Sequence, residues 1–159
     1  MSITKLNNLS ISAITALPSG VGGKVLQVIT ATDSTQRNTT SASFVTASNT
    51  LSVTITPSSA SNKIFILVTC CLYVANAGGY GEATIFRGAT NLGGTHGMAV
   101  VYGGASTVLA GVSFSNLDSP NTTSATTYQV YIRQEGPTQT YLNEPAPSKS
   151  SITAFEIAG

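Results

Sequence analysis

From Lys24 onward, apolar and polar residues alternate in short runs. In TLSVTIT (50–56), Leu51, Val53 and Ile55 alternate with Thr50, Ser52, Thr54 and Thr56. That period of two marks a half-buried strand, because successive side chains on a strand point to opposite faces. STVLAGVSFSN (106–116) places Val108, Ala110, Val112 and Phe114 on one face, and TTYQVYIRQ (126–134) does the same with Tyr128, Val130 and Ile132. SITAFEIA (151–158) sets Phe155 and Ile157 on one side, KVLQVITA (24–31) is rich in Val and Ile, and EATIFR (82–87) followed by GATN and Leu92 predicts a hairpin. TPSSASN (56–62), AGGYG, LGGTHG, YGGA, DSPNTTSA and EPAPSK carry turn and loop chemistry. Eight or more short strands without a helical period predict an all-β antiparallel sandwich or barrel.

One run breaks the alternation. In SNKIFILVTCCLYVAN (61–76), Ile64, Ile66, Val68, Cys70 and Leu72 share one strand face, while Phe65, Leu67, Cys71 and Tyr73 share the other. A strand apolar on both faces needs cover on both. In a two-layer sandwich the opposite sheet covers only one, so the second face predicts a partner surface. Another copy of the same chain, in closed symmetry, is the simplest cover. Phe65, Leu67, Cys71 and Tyr73 are therefore candidate subunit-interface residues. Cys70 and Cys71, the only cysteines, point in opposite directions and are badly placed to bond with each other. Their apolar neighbours do not lower a thiol pKa, so both are expected as small hydrophobes inside a core.

Residues 1–23 differ from the rest. Ile3, Leu6, Leu9, Ile14 and Leu17 fall at mixed spacings before Pro18, Gly20, Gly22 and Gly23. This zone reads as an attachment arm ordered by contact with something else, or alternatively as a frayed terminus. Residues 24–159 then form the β-sandwich domain.

With 159 residues and 42% hydrophobic content, the chain can bury a core as one domain. Its mean hydropathy is +0.21. Charged residues make up only 8%, and seven basic against six acidic side chains give a formal net charge of +1. Without clustered Lys and Arg, nucleic acid is not an expected partner. The N-terminus lacks a basic region followed by an apolar run, and no apolar segment reaches the length of a membrane helix. A product made in the cytosol, with no membrane insertion, is expected.

Candidate chemistry is sparse. His96 with Asp33 or Asp118 and a serine makes a triad on paper, but no Gly-x-Ser-x-Gly elbow accompanies it. His96, in GGTHG, reads as a loop residue for surface contact; three copies around a threefold axis are a further metal-binding possibility. The carboxylates Asp33, Glu82, Asp118, Glu135, Glu144 and Glu156 form no recognisable pair, and Asp118 in LDSP reads first as a turn residue. A zinc site within one chain lacks the usual ligand set. No phosphate loop is present, and neither enzyme activity nor a cofactor is expected. Tyr80, His96 and Tyr102 stand in Gly-rich loops and are candidate receptor contacts, since loops on a rigid scaffold are where recognition residues gather.

Several phrases form an ordered series: GGKVLQVITATDSTQ, SVTITPSSASNKIFILV, TIFRGATNLGG, LDSPNTTSATTYQVYIRQ and the closing SITAFEIAG. Over roughly residues 22–159 this series resembles the distal module of bacteriophage tail-fibre and virion-surface proteins, especially from marine and cyanobacterial phages. The strand order also looks similar to the trimeric jelly rolls of the tumour-necrosis-factor and complement type. The resemblance implies a non-enzymatic virion protein made in the host cytoplasm. It would be a homotrimer binding a host surface polysaccharide or protein receptor, and contacting other virion proteins through residues 1–23. A capsid or tail decoration without a receptor role, and more remotely a glycan depolymerase, are the alternatives. A long fibre has an extended shaft before such a module, and only some 22 residues precede it here, which fits a short fibre or a fibre tip.

Overall fold

The computed structural model describes residues 24–137 and 139–159; the predicted arm 1–23 lies outside them. The strands are β1 (Val25–Asp33), β2 (Arg37–Thr39), β3 (Val45–Thr46), β4 (Ser52–Ile55), β5 (Lys63–Val74) and β6 (Gly79–Arg87). They continue as β7 (Thr90–Asn91), β8 (Ala99–Gly103), β9 (Val108–Asp118), β10 (Thr126–Glu135), β11 (Thr140–Leu142) and β12 (Ser150–Ile157). No helix occurs among the described residues. The all-β reading is borne out, and the predicted hairpin at GATN is the β6–β7 turn, where Gly88 has φ 54°.

Two antiparallel sheets pack face to face. In the first, β1, β12, β5 and β9 lie side by side, and β11 with β2 extends it along the second half of β5. In the second, β4, β10, β6 and β8 are adjacent, with β3 beside β10 and β7 beside β6. Among the eight principal strands, the first, eighth, third and sixth form one sheet and the second, seventh, fourth and fifth the other. That is the jelly-roll order, two Greek keys wrapped into a sandwich.

The core is the inner face of each strand. Leu51, Ile55, Ile85, Tyr128, Val130 and Ile132 from the second sheet meet Ile64, Ile66, Val68, Leu72, Ile152 and Ala154 from the first, all buried. Alternation therefore predicts the packing side correctly on β4, β9 and β10. On β12 the sides are divided differently from a simple apolar reading. Phe155 and Ile157 are half-buried on the outer face, and Ser150, Ile152, Ala154 and Glu156 point inward.

β5 is the central strand of the first sheet, flanked along its length by β9 and on the other side by β12 and then β11. Its inner residues are buried, while Phe65, Leu67, Cys71 and Tyr73 are half-buried and Thr69 is exposed. The cysteines accordingly differ. Cys70 sits in the core, and burial, then the neighbouring Cys71, pushes its thiol pKa up to about 12. The expectation that both cysteines are core residues is corrected for Cys71, which lies on the outer face and donates its thiol hydrogen to the Glu144 carbonyl at 3.0 Å. Its thiol pKa is also raised, by burial and then by the Glu144 charge. Both thiols are free.

Two inward glycines make room for Val74. A Cβ on Gly81 would lie 2.9 Å from Val74 Cγ2, and one on Gly103 would lie 2.9 Å from Val74 Cγ1 and 2.6 Å from the Asn76 carbonyl oxygen. The backbone oxygen cannot swing aside as a side chain can. Gly103→Ala is expected to destabilise the domain by about 1–3 kcal/mol through overpacking. Gly111→Ala, where a Cβ meets open space, should stay within about 0.5 kcal/mol. Denaturant titration of the two variants checks the difference; equal midpoints would refute the packing account.

Candidate functional site on the outer face of the second sheet

The second sheet turns outward the alternate residues that the core does not take. The register sets Glu135 opposite Tyr80, Arg133 opposite Glu82, Tyr131 opposite Thr84 and Gln129 opposite Phe86. On the other flank of β6, Tyr102 faces Tyr80 and Val100 faces Glu82. Tyr80 and Tyr102 stack with ring centroids 4.7 Å apart and an interplanar angle of 29°. Phe86 stacks on Tyr131 at 4.0 Å, and Phe44 lies 6.2 Å from Phe86. The Arg133 guanidinium rests 4.9 Å from the centroid of Phe44, a cation–π contact that holds its plane in place.

The loop between β7 and β8 folds back onto this face. Met98 N–H donates to the Ala83 carbonyl at 2.9 Å, and Gly94 and Gly97 bridge to each other. Gly97 has φ 71°, and a Cβ there would lie 2.6 Å from the Ala83 carbonyl oxygen and 3.0 Å from the Phe44 ring. Only glycine fits so close an approach with that backbone sign. The loop thus brings His96 over Glu82, fourteen positions away in sequence.

Glu82 is fully buried. Arg133 Nε donates to its Oε2, and His96 Nδ1 lies 2.8 Å from its Oε1. An ionised carboxylate only accepts, so Nδ1 carries a proton, and in the neutral imidazole Nε2 is left as an acceptor. With Nδ1 protonated, the Arg133 Nη2 at 3.4 Å is a neighbour of the ring and not a donor to it. Glu135 completes the cluster, its Oε2 3.5 Å from His96 Nδ1 and 3.6 Å from Arg133 Nη2. Ligand atoms of Glu82, His96 and Glu135 all lie within 4.8 Å of one another. A cation entering there meets the resident Arg133 charge, and Glu82 already spends both oxygens.

The three residues read as receptor contacts, Tyr80, His96 and Tyr102, therefore gather on one end of one face. His96 lies in the β7–β8 loop as expected, its Nδ1 tied to a buried carboxylate, whereas Tyr80 and Tyr102, expected in loops, are strand residues of β6 and β8. The paper partners of His96 for a triad also fail. Asp33 accepts from the Thr35 N–H and from Arg37, and Asp118 from Arg87 and the Tyr128 hydroxyl at 2.6 Å. Asp118 is thus a buried ion-pair acceptor at the end of β9, not a turn residue. A cleft of about 430 Å³ beside it is lined by Arg87, Gly88, Pro120, Thr122, Ala125, Thr126 and Thr127, and Arg87 is committed to Asp118.

Phe65, Leu67, Cys71 and Tyr73 lie on the opposite outside of the sandwich. Phe65 packs on Phe155 with centroids 6.0 Å apart, and Tyr73 meets Tyr141 edge-on at 5.5 Å. Sequence reasoning missed Glu82, Arg133 and Glu135. The outward phase shared by Tyr80 and Glu82 was visible in the sequence, but their pairing with β10 was not. No family model matches the chain, and no curated protein matches it.

Proposed function

We propose that this chain is a non-enzymatic structural protein of a bacteriophage virion, a short tail fibre or fibre tip that assembles as a homotrimer and binds the host cell surface. The observation that carries the reading is the outer face of the first sheet. Val28, Phe65, Leu67, Tyr73, Leu109, Leu117 and Phe155 stand there among Thr, Ser, Cys and Gly, and among the described residues that β1, β5, β9 and β12 turn to this face the one charged side chain, Lys63, lies at the end of β5. Val28, Leu109 and Leu117 are 53%, 51% and 54% exposed. A surface of this area without charge is the composition of an interface core. The resemblance of the ordered phrases to phage fibre modules supplies the threefold expectation and the particle context.

With the first sheet turned toward neighbouring copies, the second sheet's outer face, with Tyr80, His96 and Tyr102, is turned outward to meet the host. Residues 1–23 then serve as the attachment to other virion proteins. Immunogold labelling of intact particles with an antibody raised against the purified chain tests the assignment. Gold at the distal end of the tail is the expected result. Gold over the capsid favours a decoration protein, and particles without label overturn the virion reading.

A further inference from the structure

Arg87 ends β6 and Asp118 ends β9, so their ion pair links the two sheets at one end of the sandwich. The link uses a single nitrogen. Arg87 Nη1 donates to both carboxylate oxygens, at 2.8 and 2.9 Å, while Nε and Nη2 have no acceptor among the described residues. Those two nitrogens are the side-on fork of a planar guanidinium, the edge that meets a carboxylate with two parallel hydrogen bonds. The Arg87 side chain is 31% exposed and lines the cleft of about 430 Å³ between the β6–β7 turn and the 119–125 loop. None of the residues lining that cleft is acidic. Two of its threonines suit hydroxyl groups. The Thr122 oxygen accepts from the Ser124 N–H at 3.0 Å and keeps its hydrogen free to donate, whereas Thr126 donates to the Ser124 carbonyl at 3.1 Å and keeps its oxygen free to accept.

We propose that this cleft binds a sugar acid of monosaccharide size, with its carboxylate on the Nε–Nη2 edge of Arg87 and its hydroxyls on Thr122 and Thr126. The cleft volume lies within the range of about 300–1,000 Å³ found for small-molecule sites. Gly88, Pro120 and Ala125 complete the lining with small apolar surface for the C–H groups of the ring. The charge count selects a monoanion. Asp118 already balances Arg87, so a phosphate carrying about 1.5 to 2 negative charges meets a pair with no net charge to spare. A carboxylate brings one charge and the planar shape of the fork. An uncharged sugar makes only the weaker bonds of a neutral acceptor to the same edge. The fork is also set before binding. Asp118 holds the guanidinium, and the Tyr128 hydroxyl holds Asp118 at 2.6 Å, so little ordering is lost on association. The inference stands on this cleft and not on the virion reading.

The test titrates the isotope-labelled full chain with glucuronate and galacturonate and follows the backbone amide signals. Methyl glucoside, acetate and inorganic phosphate are titrated in parallel. The expected result is a saturable shift at Gly88 and residues 122–127 with at least one of the two sugar acids, at millimolar concentration or below. Binding of the three comparison compounds should be at least about tenfold weaker. Arg87→Lys keeps a charge for Asp118 but loses the fork, and should bind at least about tenfold more weakly. Ala125→Phe, at an exposed position of the cleft wall, should abolish binding by filling the space, without touching the ion pair. Far-UV circular dichroism confirms that each variant is folded. No saturable shift with either sugar acid overturns the proposal, as does full binding by a folded variant. Methyl glucoside binding as tightly as the acids removes the role of the fork, and acetate or phosphate binding as tightly removes the sugar acid. Particle labelling fails or succeeds independently of all these outcomes.

Discussion

Leu67→Glu should turn a three-chain assembly into single folded chains. Leu67 lies in the middle of the first sheet's outer face, between Thr153 on β12 and Ser115 on β9. In a lone domain a glutamate there keeps its carboxylate in water, and surface changes of this kind typically cost within about 0.5 kcal/mol. At a packed interface the same carboxylate, repeated by symmetry, is buried without a partner and costs several kcal/mol or more. Sedimentation velocity at micromolar concentration should give the wild type at three times the 16.2 kDa chain mass and the variant at one chain mass. The far-UV spectrum should be unchanged. A wild type that sediments as a monomer, or a variant that sediments as the trimer, would refute the interface.

The largest expected loss of stability is at Glu156. This carboxylate is fully buried near the end of β12 and has no cationic partner among the described residues. Its Oε1 accepts from the Ser58 N–H at 2.6 Å, the Ser58 hydroxyl at 2.8 Å and Asn62 Nδ2 at 2.6 Å, and its Oε2 from Gln27 Nε2 at 2.5 Å. It thereby ties β1 and the 56–62 turn to the last strand. Glu156→Ala leaves these donors facing a void, and each buried donor without a partner costs about 1–3 kcal/mol. A loss of at least about 3 kcal/mol is expected by urea titration; a loss below about 1 kcal/mol would mean that water replaces the carboxylate and that the network holds little together.

The same residue gives the domain a pH dependence of known sign. Burial raises its pKa, but the hydrogen bonds from Gln27, Asn62 and Ser58 outweigh that and hold it down at about 2, against an ordinary 4.5. Asp33 behaves alike. Burial raises its pKa, while bonds from Ser48, the Thr35 N–H and Thr50, with the Arg37 charge, bring it from 3.8 to about 2. Each folded pKa is below its ordinary value, so the stabilisation is complete above about pH 4.5 and is lost as pH falls toward 2. Melting temperature should decline through that window. Glu156→Gln, which titrates nowhere, should start lower and decline less. A wild-type melting temperature constant from pH 5 to pH 2.5 would exclude the linkage.

Local pattern was enough for most of the long strands and their inner faces, but not for β8, whose Tyr102 reads as a loop residue in the sequence. Leu51, Val53 and Ile55, or Tyr128, Val130 and Ile132, reach the core because a strand has only two sides and the opposite sheet covers one. The doubly apolar β5 was equally readable, and its second face is where an uncharged surface stands. What the alternation could not supply is register. Glu82 and Arg133 are 51 positions apart, and only the antiparallel pairing of β6 with β10 puts them opposite each other. His96 joins them because Gly97 lets its loop lie against β6. Glu156 reads as a polar residue between two apolar ones, yet it faces inward because β12 spends its other side on Phe155 and Ile157. Alternation alone set the fold class, the core side of most strands and the second apolar face of β5, all consequences of a period of two within one segment. Tertiary structure alone decided which charged side chains meet. Such contacts depend on pairing between distant strands, and that pairing is selected by the energy of the whole sandwich, not by any single run of residues.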